Sequence, residues 1–166
     1  MATQPATYLA GEDQRPADPH PTEPVDYATL NVLYAILLAG VVYATRDRAR
    51  EDPIRPSEFG PIAAATFALA KVVAREKIGT WVREPFVQER DGEREPRGRR
   101  LRAAVGELLT CTRCVGAWSA ASVVGLRLAQ PEAGRTVTNV LAASAANDWL
   151  QSAFRWLCNK AEEAEQ

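Results

Sequence analysis

Residues 27–45 read YATLNVLYAILLAGVVYAT, 19 positions without a charge. Wound as a helix, the run is about 28 Å long at 1.5 Å per residue, close to the roughly 30 Å of hydrocarbon in a bilayer. Tyr27 and Tyr43 stand near its ends, where aromatic rings favour the headgroup level, and Arg46, Arg48 and Arg50 follow at once. A buried helix of a soluble bundle normally carries a polar stripe; here only Asn31 and two threonines interrupt the apolar surface. The run predicts a membrane-crossing helix and, with it, an all-α fold: a small integral membrane helical bundle of three to four helices.

Upstream, residues 1–26 hold Pro5, Pro16, Pro19, Pro21 and Pro24 with Glu12, Asp13, Asp18 and Glu23, and almost no large apolar side chain. That composition predicts a disordered tail. A secretory signal would need a basic start leading straight into an apolar run, and Arg15 alone does not make one. Downstream, Pro53 and Pro56 mark a connector, after which residues 59–82 return to helical spacing. Phe59, Ile62, Thr66, Leu69 and Val73 share one face, with Lys71 and Arg75 on the far side. The uncharged part, 59–70, is shorter than a span: the amphipathic helix could lie in the interface, enter partway, or cross with Lys71 snorkelling, and the basic flanks favour its not crossing fully.

Residues 83–102, REPFVQERDGEREPRGRRLR, read as a charged loop. Asp91 and Gly92 suit a tight hairpin turn, but the flanks lack alternating apolar residues, which favours a solvated loop. Arg97, Arg99, Arg100 and Arg102 are candidates for lipid headgroups, at about 1 kcal/mol each, or simply a cytoplasmic flank. Nine Lys and Arg lie between Arg75 and Arg102, and four between Arg46 and Arg55. Since basic residues stay inside, both flanks of the second helix read as cytoplasmic, with the N-terminus outside and the C-terminus inside.

Residues 103–128 read as the third helix, with Cys111 and Cys114 two residues apart and a charge-free run from Val115 to Leu126 rich in Gly, Ala and Ser. Small residues let helices approach closely in a bilayer, and Arg127 can snorkel. The last helix, 136–159, aligns Ser144, Asp148, Gln151, Arg155 and Asn159 in one stripe. Facing a cavity, that stripe would be functional; facing polar neighbours or water, structural, and the second is favoured because half of it falls where the helix leaves the membrane. An acidic tail, 160–166, closes a domain that spans 27–159.

A family resemblance rests on FALAKVVAREKIGTWVREPF (67–86) and ELLTCTRCVGAW (107–118). These resemble the bacterial membrane family called domain-of-unknown-function family 1360, whose members have an apolar first helix, an amphipathic segment, an Arg-Glu-Pro-Phe-like stretch, and a leucine-rich lead into CxxCxGxW. The resemblance covers about 26–128. Thr112 stands where the family often has Pro. It implies an integral protein of the bacterial cytoplasmic membrane, of unknown biochemistry, and supplies no catalytic residue.

Composition narrows the function further. The net charge is −1, with acidic ends and a basic middle, and this argues against a nucleic-acid partner. No phosphate loop, dinucleotide fingerprint, HExxH motif or Ser-His-Asp set is present, and the one histidine, His20, lies in the tail. An uncharacterised, non-enzymatic membrane protein acting by helix association is the favoured reading, with the lipid bilayer, a second copy or another membrane protein as partner and no cofactor. The alternative uses Cys111 and Cys114 for thiol redox or metal chemistry, with Cys158 as a further candidate. A helix N-terminus and Arg113 would lower thiol pKa values, whereas zinc needs four ligands and quinone-linked thiol oxidoreductases need a second cysteine pair. A structural role, with Gly116 allowing close packing and Trp118 anchoring at the interface, needs nothing that is absent.

Overall fold

The computed structural model describes residues 22–90 and 93–164. The tail reading for 1–21, His20, the Asp91-Gly92 turn and residues 165–166 lie outside the described residues.

Helix α1 spans Pro24–Glu51, longer at both ends than its uncharged run. Its start is written in the sequence: Pro24 at the first helical position needs no N–H partner, and the Glu23 N–H donates to the Asp26 carboxylate at 2.8 Å. Residues 24–26, expected in the tail, therefore belong to the helix, and Asp26 is buried beside Arg100 at 3.5 Å.

After a turn at Pro56–Glu58 the chain enters α2, Phe59–Ala74, whose alanines at 65, 68, 70 and 74 are buried. They let α2 sit at the centre, against both α5 (Thr112–Ala129) and α6 (Pro131–Ala164). Ile62, Ala65 and Val123 form the core there, with Ile54, Leu69, Val124 and Leu141 around them. Gly125 brings α5 onto α1, where an added Cβ would meet Val41 at 3.3 Å.

The region 59–82, expected as one helix, breaks after Ala74. A turn at Lys77–Gly79 leads into the short α3, Thr80–Arg83, and a Cβ at Gly79 would stand 2.3 Å from the Val72 carbonyl oxygen. Two arginines satisfy the carbonyls that the helix end leaves open. Buried Arg83 donates to the carbonyls of Val73 and Glu76, the second at 2.8 Å, and Arg94 donates to those of Ala74 and Arg75 at 2.9 and 3.2 Å.

Arg94 sits in a hairpin where a loop was expected: β1, Val87–Arg90, pairs antiparallel with β2, Glu93–Pro96, Val87 opposite Pro96. The flanks need no apolar alternation, because the hairpin is held by Arg94, by buried Val87 and by α4 (Leu101–Thr110) rather than by an apolar face. The region 103–128 likewise divides at Cys111, whose extended backbone ends α4 and caps α5.

The class is all-α with one hairpin, and the described residues form six α-helices rather than three or four, because two expected helices are each broken. Tyr34 meets Trp118 and Val41 meets Gly125, so α1 and α5 run parallel. Ile62 and Thr138 share a cavity, and Lys71 pairs with Asp148, so α2 and α6 run parallel, opposite to α5. The two flanks of α2 thus lie at opposite ends of the bundle, and Pro24 lies at the same end as the far half of α6, unlike the arrangement expected from the charges. Helix α6, with 34 residues, is about 51 Å long. Its packing against α2 extends to Asp148 and Trp149, just past its midpoint, and it takes in residues 160–164 of the expected acidic tail.

Candidate functional site

Two polar sites lie at opposite ends of the bundle. The first is the cysteine pair, where the α4–α5 break places Cys111 as the cap of α5. The Cys114 N–H donates to the Cys111 sulfur at 3.3 Å, and the Cys114 thiol lies 2.7 Å from it. Both are free thiols, Cys111 half-buried and Cys114 exposed. The hydrogen bond from the Cys114 thiol, with backbone N–H groups and Arg113, holds Cys111 below the ordinary thiol range. The same hydrogen bond pushes Cys114 up, so the helix start and Arg113 do not lower both pKa values as expected. Cys111 is thus the easier of the two sulfurs to ionise.

Cys158 lies in the far half of α6. Among the described residues no three His, Cys, Asp or Glu side chains gather as a metal site. Gly116 departs from its expected packing role, since a Cβ there would meet open space; Gly125 and Gly134 make the close approaches instead. Trp118 is half-buried against Tyr34 of α1, ring centroids 5.3 Å apart, where an interface anchor was expected.

Of the arginine cluster, Arg100 pairs with Glu23 and Asp26, and Arg102 donates twice to the Pro85 carbonyl at 2.7 and 3.0 Å, so both hold the fold together. Arg97 and Arg99 are exposed. The stripe on α6 is divided too: Asp148 binds Lys71 at 2.9 Å, while Gln151 and Arg155 are exposed and face no enclosed cavity.

The second site is at the other end and was not anticipated. Arg127, 1% exposed, reaches Glu58 with Nε at 2.6 Å and Nη2 at 3.1 Å, and Asp52 with Nη1 at 3.2 Å. Arg135 adds a bond to Asp52 at 2.5 Å. Gly134 makes this possible, because its Cβ would lie 2.4 Å from the Arg127 Cα at the α5–α6 turn. Hydrogen bonds from Arg127 and the Arg55 N–H hold Glu58 at a pKa of about 2. Arg127 was read as snorkelling; the signal available was an arginine closing an apolar run, with two carboxylates just after the first helix.

Around the bundle, α1 leaves Val32, Leu33, Ile36, Leu38 and Val42 exposed, with Ile36 at 63%. Helix α1 and the segment Pro56–Ala74 are long and apolar enough to cross a membrane.

The family model described as "Protein of unknown function (DUF1360)" matches residues 62–154, more than half of the chain. The chain belongs to this family. The DUF1360 match includes both cysteines, Arg127, Arg135 and most of α6, and leaves out α1, whereas the resemblance had been placed at 26–128. No curated protein and no solved structure matches the chain. DUF1360 membership carries no assigned activity.

Proposed function

We propose that this DUF1360 protein is a small integral membrane protein of the bacterial cytoplasmic membrane, non-enzymatic, that acts by association of its helices with lipid and with other chains. The observation that carries the reading is the bare apolar face of α1, far more extensive than the scattered apolar side chains of a water-facing surface. Four stretches cross: residues 27–45, α2 from Phe59, α5 from Val115, and the first half of α6. Helix α2 is short, but its limiting charges are each met by an opposite one, Glu58 by Arg127 and Lys71 by Asp148, so both sit at the faces of the membrane. The cysteine end carries nine Lys and Arg between Arg75 and Arg102. The opposite end has fewer, with Arg127 and Arg135 neutralised, so the cysteine end is cytoplasmic.

Carbonate extraction tests integration, the protein being expected to stay with the membrane; release into the soluble fraction would refute it. Labelling Ser57→Cys and Arg97→Cys in a chain whose native cysteines are replaced should report opposite sides.

A second reading is favoured by the cysteine geometry: a membrane thiol-redox protein. The Cys111 thiolate attacks a partner's disulfide, Cys114 resolves the mixed disulfide, and the partner leaves as a dithiol while this pair becomes a disulfide. Metal binding through the same sulfurs is the variant of this reading. The double substitution Cys111→Ser, Cys114→Ser separates the readings. Unchanged accumulation supports packing, loss of bound zinc together with stability supports metal, and loss of thiol exchange alone supports redox.

A further inference from the structure

Beside the buried Arg127 lies a cavity of about 290 Å³ between α2, α5 and α6, lined by Arg55, Ser57, Glu58, Arg135, Thr138 and Asn139 among others. It has room for roughly ten waters at ~30 Å³ each. Thr138 is 5% exposed, and its hydroxyl is buried without a hydrogen-bond partner among the described residues. A buried hydroxyl left alone is costly, and rotation of the Thr138 side chain into the adjoining cavity would give it a partner there.

The hydrogen-bonding balance around the cavity decides what that is. Both Glu58 oxygens are taken, one by Arg127 Nε and the other by Arg127 Nη2 and the Arg55 N–H, and Asp52 is held by Arg127 and Arg135. The Glu58 acceptors are thus spent inside the network, and Asp52, which takes both bonds on Oδ2, does not line the cavity. The donors are not spent: Arg135 is 41% exposed with Nη1 uncommitted, the Arg55 guanidinium has no ion pair among the described residues, and the Ser57, Thr138 and Asn139 side chains add donor groups. Arg55, Arg127 and Arg135 outnumber Asp52 and Glu58 by one positive charge.

We propose that this cavity binds a phosphate-type oxyanion, held by Arg55 and Arg135 at its mouth and by Thr138 within. A guanidinium fork and a hydroxyl match tetrahedral oxygens, and Arg127 holds the carboxylates that would otherwise repel the anion. The chemistry is shared by free phosphate and by a phospholipid headgroup, and the inference does not depend on the membrane reading.

The test uses the full chain in dodecyl maltoside, in phosphate-free buffer at constant ionic strength, with tryptophan emission reporting the melting temperature. Inorganic phosphate is titrated in one arm and dihexanoyl phosphatidylglycerol in the other. A saturable rise in at least one arm is expected, weakened roughly tenfold in apparent affinity by Arg55→Gln and by Thr138→Val, as for loss of a hydrogen bond to a charged group. Valine preserves the shape of Thr138, and Arg55 lies outside the Arg127 ion pairs, so both variants are expected to fold. A response to the lipid alone assigns a headgroup site, and a response to phosphate alone assigns a soluble anion. No saturable response in either arm, or one that both variants retain at full strength, overturns the proposal and leaves Thr138 with water only.

Discussion

Replacing Glu58 with Gln tests whether the Arg127 network ties the α1–α2 turn to the α5–α6 turn. The substitution keeps shape and one carbonyl acceptor but removes the charge that Arg127 contacts at 2.6 and 3.1 Å. Glu58 is lowered from 4.5 to about 2, and at 1.36 kcal/mol per pH unit that corresponds to at most about 3 kcal/mol. Its side chain is 19% exposed, so screening leaves about 2 kcal/mol as the expected loss. At about 3 °C per kcal/mol for a chain of this size, the variant should melt about 6 °C lower at neutral pH.

The pH dependence has a definite sign. A carboxylate whose pKa is depressed on folding stabilises the protein fully above its unfolded value, near 4.5, and that contribution is lost as pH falls towards 2. The gap between wild type and Glu58→Gln should therefore be constant above about pH 5, shrink by more than half at pH 3, and close near pH 2. Melting curves from tryptophan emission of the two proteins, taken side by side in the same detergent, measure it. Equal melting temperatures at pH 7, or a gap that persists unchanged to pH 3, would refute the network as a source of stability.

Three further outcomes are expected. Cys114→Ala should move the ionisation of Cys111 upward, because the Cys114 hydrogen bond is its largest stabiliser; alkylation rates against pH measure this, and an unmoved profile contradicts it. Lys71→Met should lower the melting temperature by stranding half-buried Asp148, and Lys71→Met with Asp148→Asn should recover part of the loss. Gly134→Ala forces a methyl group to within 2.4 Å of the Arg127 backbone, and a loss of about 2 kcal/mol or more is expected, read as a lower melting temperature.

The helices of this protein were legible where charge and apolar runs alternate cleanly. Residues 27–45 declared themselves because a long uncharged run leaves few alternatives. The breaks after Ala74 and at Cys111 were hidden because periodicity continues through both points. What stops α2 is the steric demand at Gly79 and the capping by Arg83 and Arg94, and these depend on chain that returns later. The hairpin was hidden for a related reason: strands read from apolar alternation are missed when an arginine capping a distant helix holds them in place.

The functional residues show the same division between local and returning chain. Cys111 and Cys114 were found by spacing, yet their opposite ionisation needed the geometry, since a motif cannot say which sulfur accepts the hydrogen bond. Arg127 shows why a charge at the end of an apolar run is ambiguous. A snorkelling arginine and a buried one have the same neighbours in sequence, and what separates them is whether carboxylates lie within reach. Here Asp52 and Glu58 sit on the turn between α1 and α2, and Gly134 folds α6 back so that Arg135 joins them. The carboxylates of that turn neutralise the far end of the bundle, while the cysteine end keeps its surplus of basic residues. The pairing that buries Arg127 therefore also sharpens the charge asymmetry by which the chain would be oriented in a membrane.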